Sequence, residues 1–253
     1  MNNHTRRNML FVLLGLSLLS ILCVFPYVLT LQGDVIQKIG QPVWLIFVVQ
    51  FIQSAILFFI AIFLGLFFTQ RIQFRLPLIE AIVEKGDYKS ILKNIAGVSV
   101  LLGIGTAMAI YAVDILFTFL GADITTHQNP APVWQRLLAA VYGGTTEEIL
   151  LRLFLMTFLI WLGMKLRRRK QPTSTSIVVS IVLAAIIFGL GHLPLTASLT
   201  ALSPLVVSRA IVLNGIGGVV FGWLFWKKGL ESAMIAHFTA DVFLLTLLPL
   251  FIK

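Results

Sequence analysis

Charged residues are scarce in this chain of 253 residues, where Asp, Glu, Lys and Arg together make up only 11%. Soluble domains usually carry about 25% charged residues, so the composition excludes an ordinary soluble domain. Hydrophobic residues make up 58% of the chain, and the mean hydropathy is +0.98. We therefore predict an all-α polytopic transmembrane bundle that forms one membrane domain over residues 1–253.

Cysteine is nearly absent, since Cys23 is the only one. A single cysteine excludes an internal disulfide framework and cannot by itself supply a thiolate zinc site. Acidic residues are also few, 10 against 19 Lys and Arg, which gives a net charge of +9. The basic residues cluster at the ends of apolar runs, as they do in membrane proteins, so we predict a lipid bilayer and no nucleic acid as partner.

Seven apolar runs are long enough to cross a bilayer. The first follows Arg6 and Arg7, and no small-x-small cleavage site comes after it. We therefore interpret it as a span rather than as a cleaved signal peptide. The predicted spans are 9–31, 43–69, 95–120, 134–166, 176–193, 205–226 and 230–252.

The basic residues lie mostly on one side of this predicted topology. With the N-terminus in the cytoplasm, four cytoplasmic stretches near residues 6–7, 71–93, 165–170 and 227–228 hold 14 of the 19 Lys and Arg. Positive charge is retained on the cytoplasmic side of membrane proteins. We therefore predict a multi-pass protein of the cell membrane with a cytoplasmic N-terminus.

Two segments between the spans have patterns of their own. Residues 70–93 alternate apolar and charged residues, which predicts an amphipathic helix on the cytoplasmic membrane surface, with a solvated helical loop as the alternative. Its basic residues could also attract anionic lipid. Residues 194–204 are apolar but too short to span, so we predict an outer loop or a short re-entrant segment.

Three polar patterns interrupt the apolar runs. An ionisable side chain in the bilayer costs at least ~2.5–3.5 kcal/mol, so such residues indicate function. The three patterns together contain carboxylates and imidazoles, which are the groups that catalyse acid–base or metal-assisted hydrolysis. The patterns are Glu147-Glu148-x-x-x-Arg152, Phe188-x-x-x-His192 and His237-x-x-x-Asp241.

Spacing within the first pattern separates its two glutamates. Glu148 and Arg152 are four residues apart, share a helix face and can form an ion pair. Glu147 points about 100° away and can act elsewhere. The alternative is that all three residues form one buried ionic lock between helices.

The two histidine patterns have the same spacing of four. Phe188 and His192 share a face, but a lone histidine near a helix end is often only a hydrogen-bonded packing residue. Asp241 can fix the tautomer of His237 or bind a metal beside it, and a packing pair is again the alternative. Weaker polar residues in the apolar runs are Asp114, Arg209 and Asn214, which can neutralise the bundle interior.

The order of the three patterns, each on a predicted membrane helix, resembles the CPBP family of intramembrane proteases (CAAX proteases and bacteriocin-processing enzymes, also called Abi). The type II CAAX prenyl endopeptidases are part of that family. The resemblance covers residues 134–245, which would be the motif-bearing catalytic core. It implies an intramembrane endopeptidase that cleaves a membrane-associated peptide or protein.

The resemblance also implies roles for individual residues. Glu147 would be the general base on a water molecule that His192 helps to hold. His237 and Asp241 would polarise the scissile carbonyl, and Glu148, Arg152 and Phe188 would support them. The family has been described both with and without a metal, so the cofactor is either none or a divalent metal such as zinc. Such a metal would have Glu147, His192, His237 and Asp241 as its possible ligands.

Asp241 departs from the family's prenyl-protein enzymes, which commonly have Asn at this position, whereas many bacterial relatives have Asp. An Asn amide can donate a hydrogen bond to an oxyanion, but an ionised Asp cannot. The departure favours the bacterial branch. Two other functions stay open at this point: a non-catalytic immunity or scaffold protein with the same fold, and an ion-coupled transporter that uses the carboxylates as a relay.

Overall fold

The computed structural model describes residues 2–122 and 131–251 as a bundle of helices, and these residues include no β-strand. Within these described ranges, seven helices are long and apolar enough to cross a membrane, which confirms the predicted number of spans. These are Asn3–Lys38, Val43–Ile72, Tyr88–Phe119, Val133–Leu166, Ser174–Leu199, Pro204–Lys228 and Leu230–Leu250.

The helices are named in chain order, and two spans combine α-helical and π-helical pieces. The α-helices are α1 (Asn3–Lys38), α2 (Val43–Ile72), α3 (Pro77–Val83), α4 (Tyr88–Phe119), α5 (Val133–Tyr142), α6 (Thr157–Leu166), α7 (Ser174–Gly191), α8 (Leu193–Leu199), α9 (Pro204–Lys228), α10 (Leu230–Val242) and α11 (Leu248–Phe251). The fourth span joins α5 to α6 through π-helices Gly143–Glu147 and Ile149–Met156. The seventh joins α10 to α11 through Phe243–Leu247.

Several helices begin earlier than hydropathy predicts because polar caps extend them. The Asn2 side chain accepts a hydrogen bond from the backbone N–H of Thr5 at 2.7 Å, and Asp87 accepts one from Ser90 at 3.1 Å. Such caps satisfy backbone donors that would otherwise lack partners at the start of a helix. The first and third spans therefore begin before their apolar runs do.

The prediction of one surface helix over residues 70–93 is wrong in its extent. Gln73 adopts a left-handed conformation with φ 61° and ends α2, and the segment resumes only as the short helix α3. The backbone N–H of Ile79 donates to the Glu231 carboxylate at 2.8 Å, and Ile79 is buried. This part of the segment therefore docks against the bundle, under the start of α10.

Residues 193–199 form the short helix α8, directly after α7. His192 separates the two helices with φ −86° and ψ −9°. An extended stretch at Thr200 then leads to α9, where Ser203 caps the first turn by accepting from Val206. Whether this segment re-enters the bilayer stays a prediction.

Small residues allow the motif-bearing helices to approach closely. A Cβ on Gly218 of α9 would lie 2.7 Å from the Cα of Ala185 on α7, so the two backbones meet there. The same helix pair is close at Gly189, beside Ile211. Close approach through small residues is a common way for membrane helices to pack. It brings α7, which ends at His192, close to α9.

Candidate active site

Glu147, His192, His237 and Asp241 line a single cavity of about 340 Å³. Glu147 comes from the fourth span, His192 from the end of α7, and the other two from α10. The four residues predicted to be catalytic therefore face one space, although they are separated by up to 94 positions in the chain. Their positions are a finding of the structure, whereas their roles stay predictions.

A buried chain of charged groups holds His237 in place. Oε1 of Glu148 lies 2.9 Å from Nη1 of Arg152, which confirms the ion pair predicted from their spacing. The same oxygen lies 2.7 Å from Nδ1 of His237. Side-chain exposure is 0% for Glu148, 2% for Arg152 and 6% for His237, so the chain is shielded from water.

The bond between Glu148 and His237 was not predicted. The spacing rule relates residues of one helix, and it assigned Glu148 to Arg152 and Asp241 to His237. An ionised carboxylate only accepts hydrogen bonds, so Nδ1 of His237 carries a proton and donates a hydrogen bond to Glu148. Glu148 therefore fixes both the ring orientation and the tautomer of His237.

The other ring nitrogen of His237 faces two carboxylates. Nε2 lies 3.7 Å from Oε2 of Glu147 and 3.6 Å from Oδ2 of Asp241. Those two side chains are 24% and 23% exposed, so each reaches the cavity. Three atoms with lone pairs cannot meet favourably without a proton. At least one proton therefore lies on Nε2 or on one of the two carboxyl groups.

His192 is held by its own helix. Its Nδ1 lies 2.9 Å from the backbone carbonyl oxygen of Phe188, and a carbonyl only accepts, so Nδ1 carries the proton. In the neutral ring Nε2 is then an acceptor. The predicted pairing of Phe188 and His192 is also present in the rings, which meet edge to face with centroids 4.7 Å apart.

Two aromatic rings pack against the side chains of His237 and Arg152. Phe221 of α9 stacks on His237 with centroids 4.6 Å apart, and Phe188 meets the same imidazole edge to face at 5.9 Å. Cζ of Arg152 lies 5.2 Å from the Phe188 ring and 5.5 Å from the Phe221 ring. Phe221 was missed because nothing distinguishes it among 20 phenylalanines in the sequence.

The fourth span is π-helical where it carries the glutamates. Its π-helices are Gly143–Glu147 and Ile149–Met156, on either side of Glu148. A π-bulge widens a helix locally and is often found at functional sites. Apolar periodicity does not reveal it, because the neighbouring residues still suit an ordinary membrane helix.

The absence of a side chain on Gly143 leaves room for the Asp241 carboxylate beside His237. A Cβ on Gly143 would overlap Oδ2 of Asp241 and would lie 3.3 Å from Nε2 of His237. Gly143→Ala should therefore displace the Asp241 carboxylate and lower activity more than it lowers the amount of folded protein. Gly163→Ala is the matched control in the same span, because a Cβ there meets nothing within 4 Å. Hydrolysis rates of the two purified variants test this, and equal rates would contradict it.

The predicted metal ligands do not form a ligand set as placed. In the described residues no group of three or more His, Cys, Asp or Glu side chains lies close enough to hold a metal ion. The Nδ1 contacts of His237 with Glu148 and of His192 with the Phe188 carbonyl leave Nε2 as the ring atom of each that could bind a metal.

Of the weaker polar residues, two form an ion pair and the third lines the cavity. Arg209 of α9 pairs with Asp114 of α4, with Nε 2.6 Å from Oδ1. Asn214 lines the cavity, and its amide nitrogen donates to the Ala210 carbonyl at 2.8 Å. The ion pair neutralises both charges, as predicted for the bundle interior.

Comparison with known families agrees with this geometry. Residues 129–243 match the model of a family described as type II CAAX prenyl endopeptidase Rce1-like, and this range contains all three polar patterns. The match covers 115 of the 253 residues, so this segment is similar to the CAAX protease family. A search of curated proteins and a search of solved structures each found no match. The matched range begins just before α5 and ends in the seventh span. The predicted core limits of 134–245 stay a prediction.

Proposed function

We propose that this protein is an intramembrane endopeptidase that hydrolyses a peptide bond of a membrane-associated protein or peptide, with a water molecule activated by Glu147. The observation that carries this proposal is the meeting of Glu147, Asp241 and His237 in one cavity that His192 also lines. The proposal suits the CAAX protease family of residues 129–243.

Glu147 is the better general base of the two glutamates. Glu148 is fully buried and engaged with Arg152 and His237, whereas Glu147 is 24% exposed toward the cavity. A base must reach the proton that it removes, and Glu147 can reach a water in the cavity. His192, with Nε2 as an acceptor, can hold the same water from the other side.

In the proposed reaction one proton passes from water to Glu147 and then to the leaving amine. Glu147 takes a proton from water as the oxygen attacks the carbonyl carbon, and the carbonyl oxygen gains negative charge. A proton on His237 Nε2 or on the Asp241 carboxyl can donate a hydrogen bond to that oxygen. When the carbon–nitrogen bond breaks, Glu147 returns its proton to the leaving amine. Glu148 and Arg152 act only by positioning His237.

The direct test is peptide hydrolysis by the purified protein, with Glu147→Ala as control. Two peptides of one sequence, with and without a prenyl group on a C-terminal CAAX cysteine, would show whether prenylation matters. We propose that the prenyl group is not required, because Asp241 stands where the prenyl-protein enzymes commonly have Asn. Failure of a folded protein to cleave any membrane peptide would instead favour a non-catalytic member of the family.

Asp241→Asn distinguishes a metal-free site from a metal site. Without a metal, Asn should work at least as well as Asp because its amide donates to the oxyanion. We propose the metal-free site and therefore expect this result. Activity and elemental analysis of the wild type and the variant, with and without a chelator, are the measurements. Stoichiometric zinc that disappears together with activity in Asp241→Asn would contradict the metal-free proposal.

A further inference from the structure

The cavity lies at the ends of the spans that are far from the basic loops. Glu147 is 18 residues from Lys165, and Asp241 is 13 residues from Lys228. At a rise of ~1.5 Å per residue these separations are about 27 and 20 Å. Gln32, which also lines the cavity, is 25 residues from Arg7. His192 lies at the end of α7 that is remote from the basic stretch 165–170, and it lines the same cavity. The hydrocarbon core is about 30 Å thick, so the cavity lies mainly in the half opposite the basic loops.

On the side of the basic loops, buried residues close off the site. Leu153 and Met156, one and two turns beyond Glu148, have no exposed surface. Leu230 and Ala233, which precede His237 on α10, also have none. Docked α3 lies against the start of α10 through the bond from Ile79 to Glu231. A second cavity on the basic side, lined by residues such as Met9 and Gln73, does not include His237.

The opposite end of the cavity is built from less regular and less buried structure. Gln32 interrupts the helical conformation of α1 with φ −119° and ψ 17°. Leu195, on the short helix α8, is half-buried at the same end. Together with Leu31 and Leu245, these residues form the outer rim of the cavity.

The chemistry of the lining restricts what can enter. Its described residues include the carboxyl groups of Glu147 and Asp241 but no Lys or Arg, and its other side chains are mostly apolar, such as Val28 and Leu213. An acidic side chain beside the scissile bond would be repelled, whereas an apolar one would be buried favourably.

We infer that the substrate enters from the extracytoplasmic side, as an exported or membrane-tethered peptide with apolar side chains around the scissile bond. This inference rests on the proposed function and on a cytoplasmic position of the basic loops. A C-terminal peptide of a cytoplasmic protein would reach the membrane on the closed side. The direction of access thus determines the substrate class.

Cysteine labelling measures this access without requiring catalysis. In a Cys23→Ser background, Gln32→Cys places a thiol on the outer rim, and Leu195→Cys gives a second rim site if the first variant does not fold. Gln73→Cys, at the exposed turn after α2, is the control on the basic side. A membrane-impermeant sulfonated thiol reagent is applied to right-side-out and to inside-out vesicles. Reporters fused after residues 90 and 170 fix the orientation independently.

We expect the rim thiols to react in right-side-out vesicles and the Gln73→Cys thiol to react in inside-out vesicles. Both reporters should lie on the cytoplasmic side, and one after residue 128, which is outside the described residues, should lie outside. Rim thiols that react only in inside-out vesicles, or in neither preparation, would overturn the inference, as would extracytoplasmic reporters after residues 90 and 170. A correct labelling pattern without hydrolysis of a peptide added outside would refute the proposed function and leave the accessible side established.

Discussion

Glu147→Gln should lower the rate of peptide hydrolysis by about 10²–10⁴-fold, the usual contribution of a general base. The amide keeps the size of the side chain but cannot accept the proton of the attacking water. Folded protein should be recovered in nearly normal amounts, because Glu147 is 24% exposed and lies outside the pair formed by Glu148 and Arg152. Initial rates and thermal unfolding in the same detergent are the measurements.

Glu80→Gln is a matched control for this substitution. Glu80 also meets a cation, Arg75, at 3.3 Å, but the Arg75 side chain is 76% exposed. Surface ion pairs of this kind contribute little to stability. Wild-type rates in Glu80→Gln and very low rates in Glu147→Gln would support the assignment. If Glu147→Gln instead lost expression as severely as Glu148→Gln, the two glutamates would form one ionic lock.

Composition and spacing were sufficient to predict the parts of the fold that depend on local physics. Apolar runs predicted seven spans because each must cover the hydrocarbon core with its own residues. A separation of four residues predicted the pair of Glu148 and Arg152 because helix geometry alone brings such residues together. The family resemblance supplied the list of site residues, and the structure places them around one cavity.

Residue counts along single helices failed to predict the relative depth of the site residues. His237 is only 9 residues from Lys228, about 14 Å at ~1.5 Å per residue, whereas Glu147 is about 27 Å from Lys165. The two side chains nevertheless meet at 3.7 Å. Lys165 and Lys228 therefore lie at different heights along the bundle, which counts along single helices do not show.

Contacts between helices that are far apart in the sequence could not be predicted either. The bond from His237 to Glu148 and the stacking of Phe221 on His237 depend on how α9 and α10 pack against the fourth span. The docking of α3 depends on such a contact too, because Ile79 and the Glu231 carboxylate that it meets are 152 residues apart. A periodic pattern shows which face is apolar but not what covers it.

Glu148→Gln should destabilise the protein by about 3–5 kcal/mol, which is the cost of removing one partner from a buried ion pair. Oε1 of Glu148 contacts both Arg152 and His237, so the substitution leaves Arg152 as a buried charge without its counter-charge. The Gly218 carbonyl, 3.3 Å from Nη2, and the two aromatic rings would remain its partners. Denaturant or thermal unfolding in detergent gives the change in free energy, with Glu147→Gln as the matched variant.

The double substitution Glu148→Met, Arg152→Met separates stability from positioning. Replacing both members of a buried pair with apolar residues of similar size is often neutral or stabilising, so the double variant should be more stable than Glu148→Gln. Its activity should stay low, because Nδ1 of His237 loses the carboxylate that orients the ring. Recovery of activity together with stability would show that Glu148 and Arg152 serve only the fold. A double variant no more stable than the single one would show instead that the pair itself is strongly stabilising in this bundle.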